Sequence, residues 1–325
     1  MREPAFWWRK AGLASGLLAP AAACYGVIAA RRMAKAGARA GVPVLCVGNF
    51  TLGGAGKTPT ALWLANMLKD AGERPFCLSR GYGGSVAGPK LVAADTDSAA
   101  QVGDEALLLA RVAPTIVAGD RIVGAEAAHA GGASIVVMDD GLQNASLAKD
   151  LTIAVVDGRR GIGNGCVFPA GPLRAPLTAQ LARTGALLVI GVGDPGIKSD
   201  LPVFHGRLVP DAAGVAALKA RKVLAFAGIG DPDKFFATAE AAGISIAQRK
   251  QFADHHRFTA EEAAGLIMQA EHGGLALLTT EKDRARMTGE PVLAALAAKA
   301  HVLPVTLVVD EAEKLQTLVR TKLRR

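Results

Sequence analysis

The chain has 325 residues, half of them apolar and one fifth charged, with a formal net charge of +8. That balance excludes a disordered chain, and 38 glycines without a Gly-X-Y period exclude a collagen-like one. Aromatic residues make up 5%, too few for a stacking platform on single-stranded nucleic acid, so no nucleic-acid partner is expected. The basic balance favours an acidic partner such as anionic lipid or a phosphorylated substrate.

The excess charge is concentrated at the start. Residues 1–40 hold Arg2, Arg9, Lys10, Arg31, Arg32, Lys35 and Arg39 against the single acid Glu3. Between them, residues 11–30 carry no charge, and twenty helical residues would span about 30 Å. Eight alanines, three glycines and a central Pro20 make insertion only weakly favourable. Basic residues on both sides give no preferred orientation. Phe6, Trp7 and Trp8 precede the run, and Leu13, Leu17, Pro20, Cys24 and Val27 recur at helical spacing. The segment reads as an amphipathic helix lying in an anionic membrane surface rather than spanning it. Ala21-Ala22-Ala23-Cys24 lacks the large apolar residue a lipoprotein signal needs three places before its cysteine. The four cysteines, Cys24, Cys46, Cys77 and Cys166, form no CxxC pair and read as reduced, buried thiols.

From residue 42 short β-rich runs alternate with helical stretches. Strands are expected at 42–49, 74–80, 115–118, 134–140, 151–157 and 186–191, with a helix from Thr58 to Ala71. Their spacing is too long for hairpins and fits βαβ units in a parallel sheet with helices on both faces. A second cycle starts near Lys222, with a helix from Pro232, a strand near 244–251 and a helix from Thr259. Strands at 275–280 and 301–309 and a final helix complete it. The Gly, Pro and Asp-rich stretch 192–215 is the expected boundary. The expected organisation is a membrane-associated segment 1–40, a P-loop NTPase-like α/β domain 41–205 and a smaller C-terminal α/β domain 206–325.

Residues 48–60 read GNFTLGGAGKTPT. A glycine-rich turn between a buried strand and a helix, ending Gly56-Lys57-Thr58, is the grammar of a phosphate-binding loop. Backbone N–H groups of Thr51, Gly53, Gly54, Ala55 and Gly56 would cradle phosphate oxygens, aided by the helix N-terminus. Lys57 would neutralise them and Thr58 would ligate Mg²⁺. The strict pattern GxxxxGK[ST] has glycine where this chain has Thr51. Asp139 and Asp140 end the apolar run SIVVMDD, where a carboxylate pair can organise the metal ion of a nucleoside triphosphate.

Taken together, PVLCVGNFTLGGAGKTPT, LSRGYGG, VGDEALLLA, DDGLQN, FPAGPLR, FAGIGDPDKFF, FADHH and TTEKD resemble the tetraacyldisaccharide 4′-kinase family from Trp7 to about Asp283. The resemblance implies ATP and Mg²⁺ as cofactors and a tetraacyldisaccharide 1-phosphate lipid as acceptor. It also implies a monotopic position on the cytoplasmic face of the bacterial inner membrane. It carries a catalytic role to Asp104 and a place in the metal shell to Glu105, beside Asp139 and Asp140. A histidine of the Asp-His motif, His255 or its neighbour His256, is implied as the partner of Asp104. Arg121 and Arg174 are implied in contacts to substrate or phosphate. Asn144 stands where the family carries histidine, so an ionic role there is not expected.

Taken singly, Asp104 and Glu105 would be ordinary helix-start acids, favoured by the dipole. Thr279–Asp283 looks like a guanine-reading NKxD element but lacks the residue between lysine and aspartate. The rival readings are a P-loop GTPase-like switch or metallochaperone, and a soluble ligase of the dethiobiotin-synthetase kind. The first would prefer GTP and have no lipid acceptor, and the second would need no amphipathic N-terminus.

Overall fold

The computed structural model describes residues 3–323; Arg2, counted above, lies outside them. Among the described residues thirteen strands form two sheets. In chain order they are β1 (Val44–Gly48), β2 (Pro75–Ser79), β3 (Lys90–Leu91), β4 (Thr115–Val117), β5 (Ile135–Asp139), β6 (Leu151–Asp157) and β7 (Ala186–Ile190). Then come β8 (Val203–Pro210), β9 (Lys222–Ala227), β10 (Ser245–Gln251), β11 (Ala276–Thr279), β12 (Ala300–Val302) and β13 (Val305–Val309). The larger sheet has the order β13-β8-β7-β6-β1-β5-β2-β4-β3, and the smaller one β10-β9-β11-β12. All neighbours are parallel except the edge pairs β3–β4 and β8–β13.

Strands β1, β5, β6 and β7 are buried along their whole length, as uninterrupted apolar runs in a sheet covered on both faces must be. Helices Lys57–Asp70 and Ala312–Leu323 cover one face through Leu64, Leu68, Leu315 and Val319. The other face is covered by helix Arg121–Ala130 and by the N-terminal helix Leu13–Ala34, which seats Met33 over Leu142 and Leu187. The crossovers bring the carboxyl ends of β1 and β5 together at the rim of the sheet, where open α/β sheets bind ligands.

The N-terminal helix is long and apolar enough, by length and composition, to cross a membrane. It buries only Ser15, Ala22, Gly26 and Met33. Leu13 is 90% exposed and Leu17 83%, while Tyr25, Val27 and Ile28 are about half exposed. The apolar stripe expected from spacing therefore faces away from the protein. Cys24 lies on that exposed side and Cys166 is half-buried, which corrects the expectation of four buried thiols. Cys46 and Cys77 are buried, and burial pushes their thiols up to about 11 and about 12.

Two boundaries differ from the expected ones. The stretch 192–215 contains β8, an eight-residue strand of the larger sheet, so a division at 205/206 cuts through a strand. The run 301–309 is two strands in different sheets: β12 ends the smaller one, and β13 returns to pair with β8. The smaller lobe is thus an insertion between Pro210 and Val305 rather than a terminal domain. Its two tethers touch, the Asp211 N–H donating to the Pro304 carbonyl at 2.9 Å.

Candidate active site

The glycine-rich loop leaves β1 and turns into helix Lys57–Asp70. Gly53 and Gly56 sit at φ +98° and +100°, and a Cβ on Gly56 would meet Ile190 Cδ1 at 2.7 Å, so only glycine makes this turn. Lys57 is buried, and its Nζ donates to Asn49 Oδ1 at 3.2 Å and lies 3.7 Å from Asp140. Asn49 in turn donates to the carbonyls of Thr51 at 2.7 Å and Gly53 at 3.3 Å, shaping the loop from beneath. Thr58 is buried at the helix start.

The GPLR element locks onto this loop. Leu173 bridges Thr51, and Arg174 Nε donates to the Thr51 carbonyl at 2.9 Å. The Arg174 Nη1 then reaches Asp140 at 2.8 Å. Burial works against the Asp140 charge, but Lys57 and Arg174 outweigh it and hold the carboxyl well below the usual range. Asp140 adopts φ +50°, a left-handed conformation that aspartate tolerates at a cost.

Asp139, the last residue of β5, is buried, and neither carboxylate oxygen has a partner. Burial, with Glu105 and Asp140 nearby, pushes it up to about 7. An orphaned buried carboxylate costs about 1–3 kcal/mol or more, so a group that meets it would recover that penalty. Among the described residues, no three His, Cys, Asp or Glu side chains are grouped so as to hold a metal ion by themselves.

Gly103, at φ +84°, starts helix Asp104–Ala110 and puts Asp104 and Glu105 in its first turn. Across the cleft, the smaller lobe answers each. Lys282 Nζ donates to Glu105 at 2.7 Å. Arg286 donates to Asp104 Oδ2 through Nε at 3.0 Å and through Nη2. His255 Nδ1 lies 3.5 Å from Asp104 Oδ1. Burial would raise Asp104, but His255, Arg286 and Lys282 prevail and hold it well below the carboxylate range. His256 points elsewhere: it meets Glu262 at 2.7 Å and stacks on Phe252 at 4.8 Å. His255 is in the left-handed region, φ +55°, edge-on to Tyr82 at 4.7 Å.

Arg121 is buried, and its Nη1 donates to the Ala118 carbonyl at 2.7 Å. It stays close enough for Asp139 and Asp140 to act on it. The structure thus gathers the loop, Asp104, Glu105, Asp139, Asp140, Arg174 and His255 around one cleft, with Arg121 behind the aspartates.

Sequence reasoning missed the roles of Lys282, the lysine inside the element dismissed as a guanine reader, and of Arg286 just after it. A second interlobe group was also missed. Asp231, 3% exposed, caps helix Pro232–Ala241 and takes Arg159 at 2.7 Å and Arg160 at 3.0 Å. Arg160 also holds Glu3 at 2.9 Å and lies over the Trp8 ring at 4.8 Å. Lys234 pairs with Asp157 at the end of β6. Glu3 Oε1 packs against Gly53, so this group touches the phosphate loop as well.

A family model described as Tetraacyldisaccharide-1-P 4′-kinase matches residues 14–324. The tetraacyldisaccharide 4′-kinase of Rhodopseudomonas palustris strain BisB5 is 54% identical over 323 residues, covering 97% of this chain and 95% of its own length. That of Afipia carboxidovorans is 51% identical, covering 100% of this chain and 98% of its own. The crystal structure of the LpxK of Aquifex aeolicus in complex with ATP superposes with a TM-score of 0.75 at 26% identity. It covers 96% of this chain and 100% of that one. With a phosphate loop, a row of carboxylates and an Asp-His pair in one cleft, and near-full-length relatives of one kind, the chain belongs to the tetraacyldisaccharide 4′-kinase family.

Proposed function

We propose that this chain transfers the γ-phosphoryl group of ATP to the 4′-hydroxyl of tetraacyldisaccharide 1-phosphate, the kinase step of lipid A biosynthesis. The observation that carries the reading is the facing of two half-sites. Lys57 and the unpartnered Asp139 lie at the loop, and the Asp104–His255 pair lies opposite.

The loop amides and Lys57 hold the triphosphate, whose charge replaces part of the interaction Lys57 now has with Asp140. The two orphaned oxygens of Asp139 fit a hard divalent cation, with Thr58, Glu105 and Asp140 able to complete its shell. Mg²⁺, when bound, neutralises charge on the transferred phosphoryl group. Asp104 is held too low to be a strong base at neutral pH, so its task is to orient the acceptor hydroxyl and His255. An imidazole is the better proton acceptor near neutrality, and His255 lies within reach of the same carboxylate. Arg174 keeps Asp140 charged and fixes the loop. Lys282 and Arg286 hold the smaller lobe over the cleft, which excludes water that would otherwise take the phosphoryl group.

The exposed stripe Leu13, Leu17, Val27 and Ile28, with Phe168 beside Tyr25, supports a monotopic seat on the cytoplasmic face of the inner membrane. There the acceptor's acyl chains stay in the bilayer while its sugar enters the cleft.

Incubation with labelled ATP and tetraacyldisaccharide 1-phosphate in mixed micelles yields the bis-phosphorylated lipid on this reading. Nucleotide turnover with no lipid product, or a preference for GTP, overturns it. Leu13→Glu with Leu17→Glu, both on the exposed stripe, abolishes vesicle association while ATP binding survives.

A further inference from the structure

The cleft is not the only cavity. A second one, of about 320 Å³, opens at the end of the N-terminal helix, on the amino-terminal side of the larger sheet. Its walls include Lys35, Lys149, Arg183 and Lys322. The acid among its lining residues, Asp150, has its carboxylate engaged by the Val44 N–H at 2.8 Å. Among the described residues none of the four cations forms an ion pair with a carboxylate. Lys149 donates to the Asn144 carbonyl, and Arg183 to the Lys35 carbonyl at 3.3 Å. Burial, and Arg183 beside it, lower the Lys149 pKa, so this ammonium is held at a cost that an anion would repay.

Four cations against the one carboxylate of Asp150 leave the lining with an excess of positive charge, and a phosphate diester offers both the charge and the acceptors to meet it. We infer that this cavity receives the phosphate of an anionic bilayer phospholipid headgroup. The inference rests on the membrane seat proposed above and adds a defined point of contact to it. Position selects the source. The cavity is bounded by the first residues of β6, Leu151 and Thr152, whereas Asp139 lies at the carboxyl end of β5, two strands away in the same sheet. The length of β6, about 20 Å, lies between the two ends of the sheet. An acceptor disaccharide seated at Asp104 does not reach that far with its own 1-phosphate. The mouth instead lies beside Lys35, which caps the exposed apolar helix, next to the Arg31 and Arg32 of its last turn. A headgroup would therefore enter where the helix leaves the bilayer plane.

The test is sedimentation of the full chain with phosphatidylcholine vesicles, with and without phosphatidylglycerol. Phosphatidylglycerol strengthens wild-type binding, and Lys149→Gln with Arg183→Gln weakens it by about 10–30-fold. Ala182→Trp, an exposed lining residue whose replacement keeps every charge, blocks the cavity and gives a comparable loss. Phosphatidylglycerol binding unchanged in Ala182→Trp means diffuse surface attraction and overturns the cavity while leaving the membrane seat intact. A wild type that binds no vesicle overturns the seat itself. In neutral micelles the acceptor KM of the Lys149/Arg183 variant stays at the wild-type value; a raised KM assigns the cavity to the acceptor's 1-phosphate and also overturns the inference.

Discussion

Arg286 grips Asp104 across the interlobe cleft with two guanidinium nitrogens, and the same guanidinium binds Asp283 at 3.1 Å and the Gly228 carbonyl at 2.7 Å. One side chain from the smaller lobe thus joins His255 and Lys282 in holding a carboxylate of the larger one ionised. It leaves Asp104 Oδ1 turned to His255.

Removing that guanidinium lets burial act on Asp104 with less opposition, so its pKa rises. Activity that needs the ionised carboxylate is then lost at a higher pH than in the wild type. Arg286→Ala is expected to move the acid limb of the kcat/KM profile upward and to lower kcat about 10²-fold, with Arg286→Lys recovering part of both. ATP affinity measured by calorimetry stays within a few-fold. An unshifted acid limb would show that Arg286 serves only packing. Asp104→Ala should lose transfer by orders of magnitude with nucleotide binding largely kept; equal loss of both would mean a metal-binding role instead.

His255 and His256 are neighbours with opposite surroundings. His255→Gln is expected to cut kcat about 10²–10⁴-fold, as loss of a proton acceptor does. His256→Gln removes a half-exposed pair with Glu262 and costs about 0.5–1 kcal/mol of stability with kcat near wild type. Steady-state kinetics beside thermal melts of both variants separate the roles, and equal kinetic losses would contradict the assignment.

Asp139 exchanges stability for function. Its folded pKa, about 7, lies above the ordinary value of about 3.9, so the folded chain binds this proton more tightly than the unfolded one. The corresponding stability is present in full below about pH 4 and is lost as pH rises through about 7. Without nucleotide, Asp139→Asn is therefore expected to melt above the wild type at pH 8, by about 1–3 kcal/mol, and to converge with it below about pH 4. Mg²⁺ and ATP should raise the wild-type melting temperature more than the variant's, while the variant transfers no phosphate. A variant less stable than wild type at pH 8 would refute the account.

The Asp231 group gives a contrast in magnitude. Asp231 is buried, caps a helix and accepts two guanidinium groups, so Asp231→Ala is expected to cost about 3–5 kcal/mol in urea denaturation. Arg159 is 56% exposed and its removal costs at most about 1 kcal/mol. Comparable losses for the two would show that the pairs are not coupled through Asp231.

Sequence carried the larger sheet well because β1, β5, β6 and β7 are uninterrupted apolar runs, and the phosphate loop because only glycine fits at Gly56. It failed at β8, where Gly and Pro suggested a linker although Phe204 and Leu208 alternate inward as a half-buried strand demands. Lys282 and Arg286 were invisible for a different reason. Each pairs with a residue about 180 positions earlier, and nothing local to either segment encodes which carboxylate a distant cation will meet. The two adjacent histidines were likewise equivalent until backbone conformation turned one toward Asp104 and the other toward Glu262.

The return of β13 to the edge of the larger sheet orders events during synthesis. The apolar helix precedes the sheet it packs on, and that sheet gains its edge strand β13 and the covering helix Ala312–Leu323 only after the smaller lobe has been made. A nascent chain therefore presents its apolar helix to a bilayer before the sheet beneath that helix has its last strand.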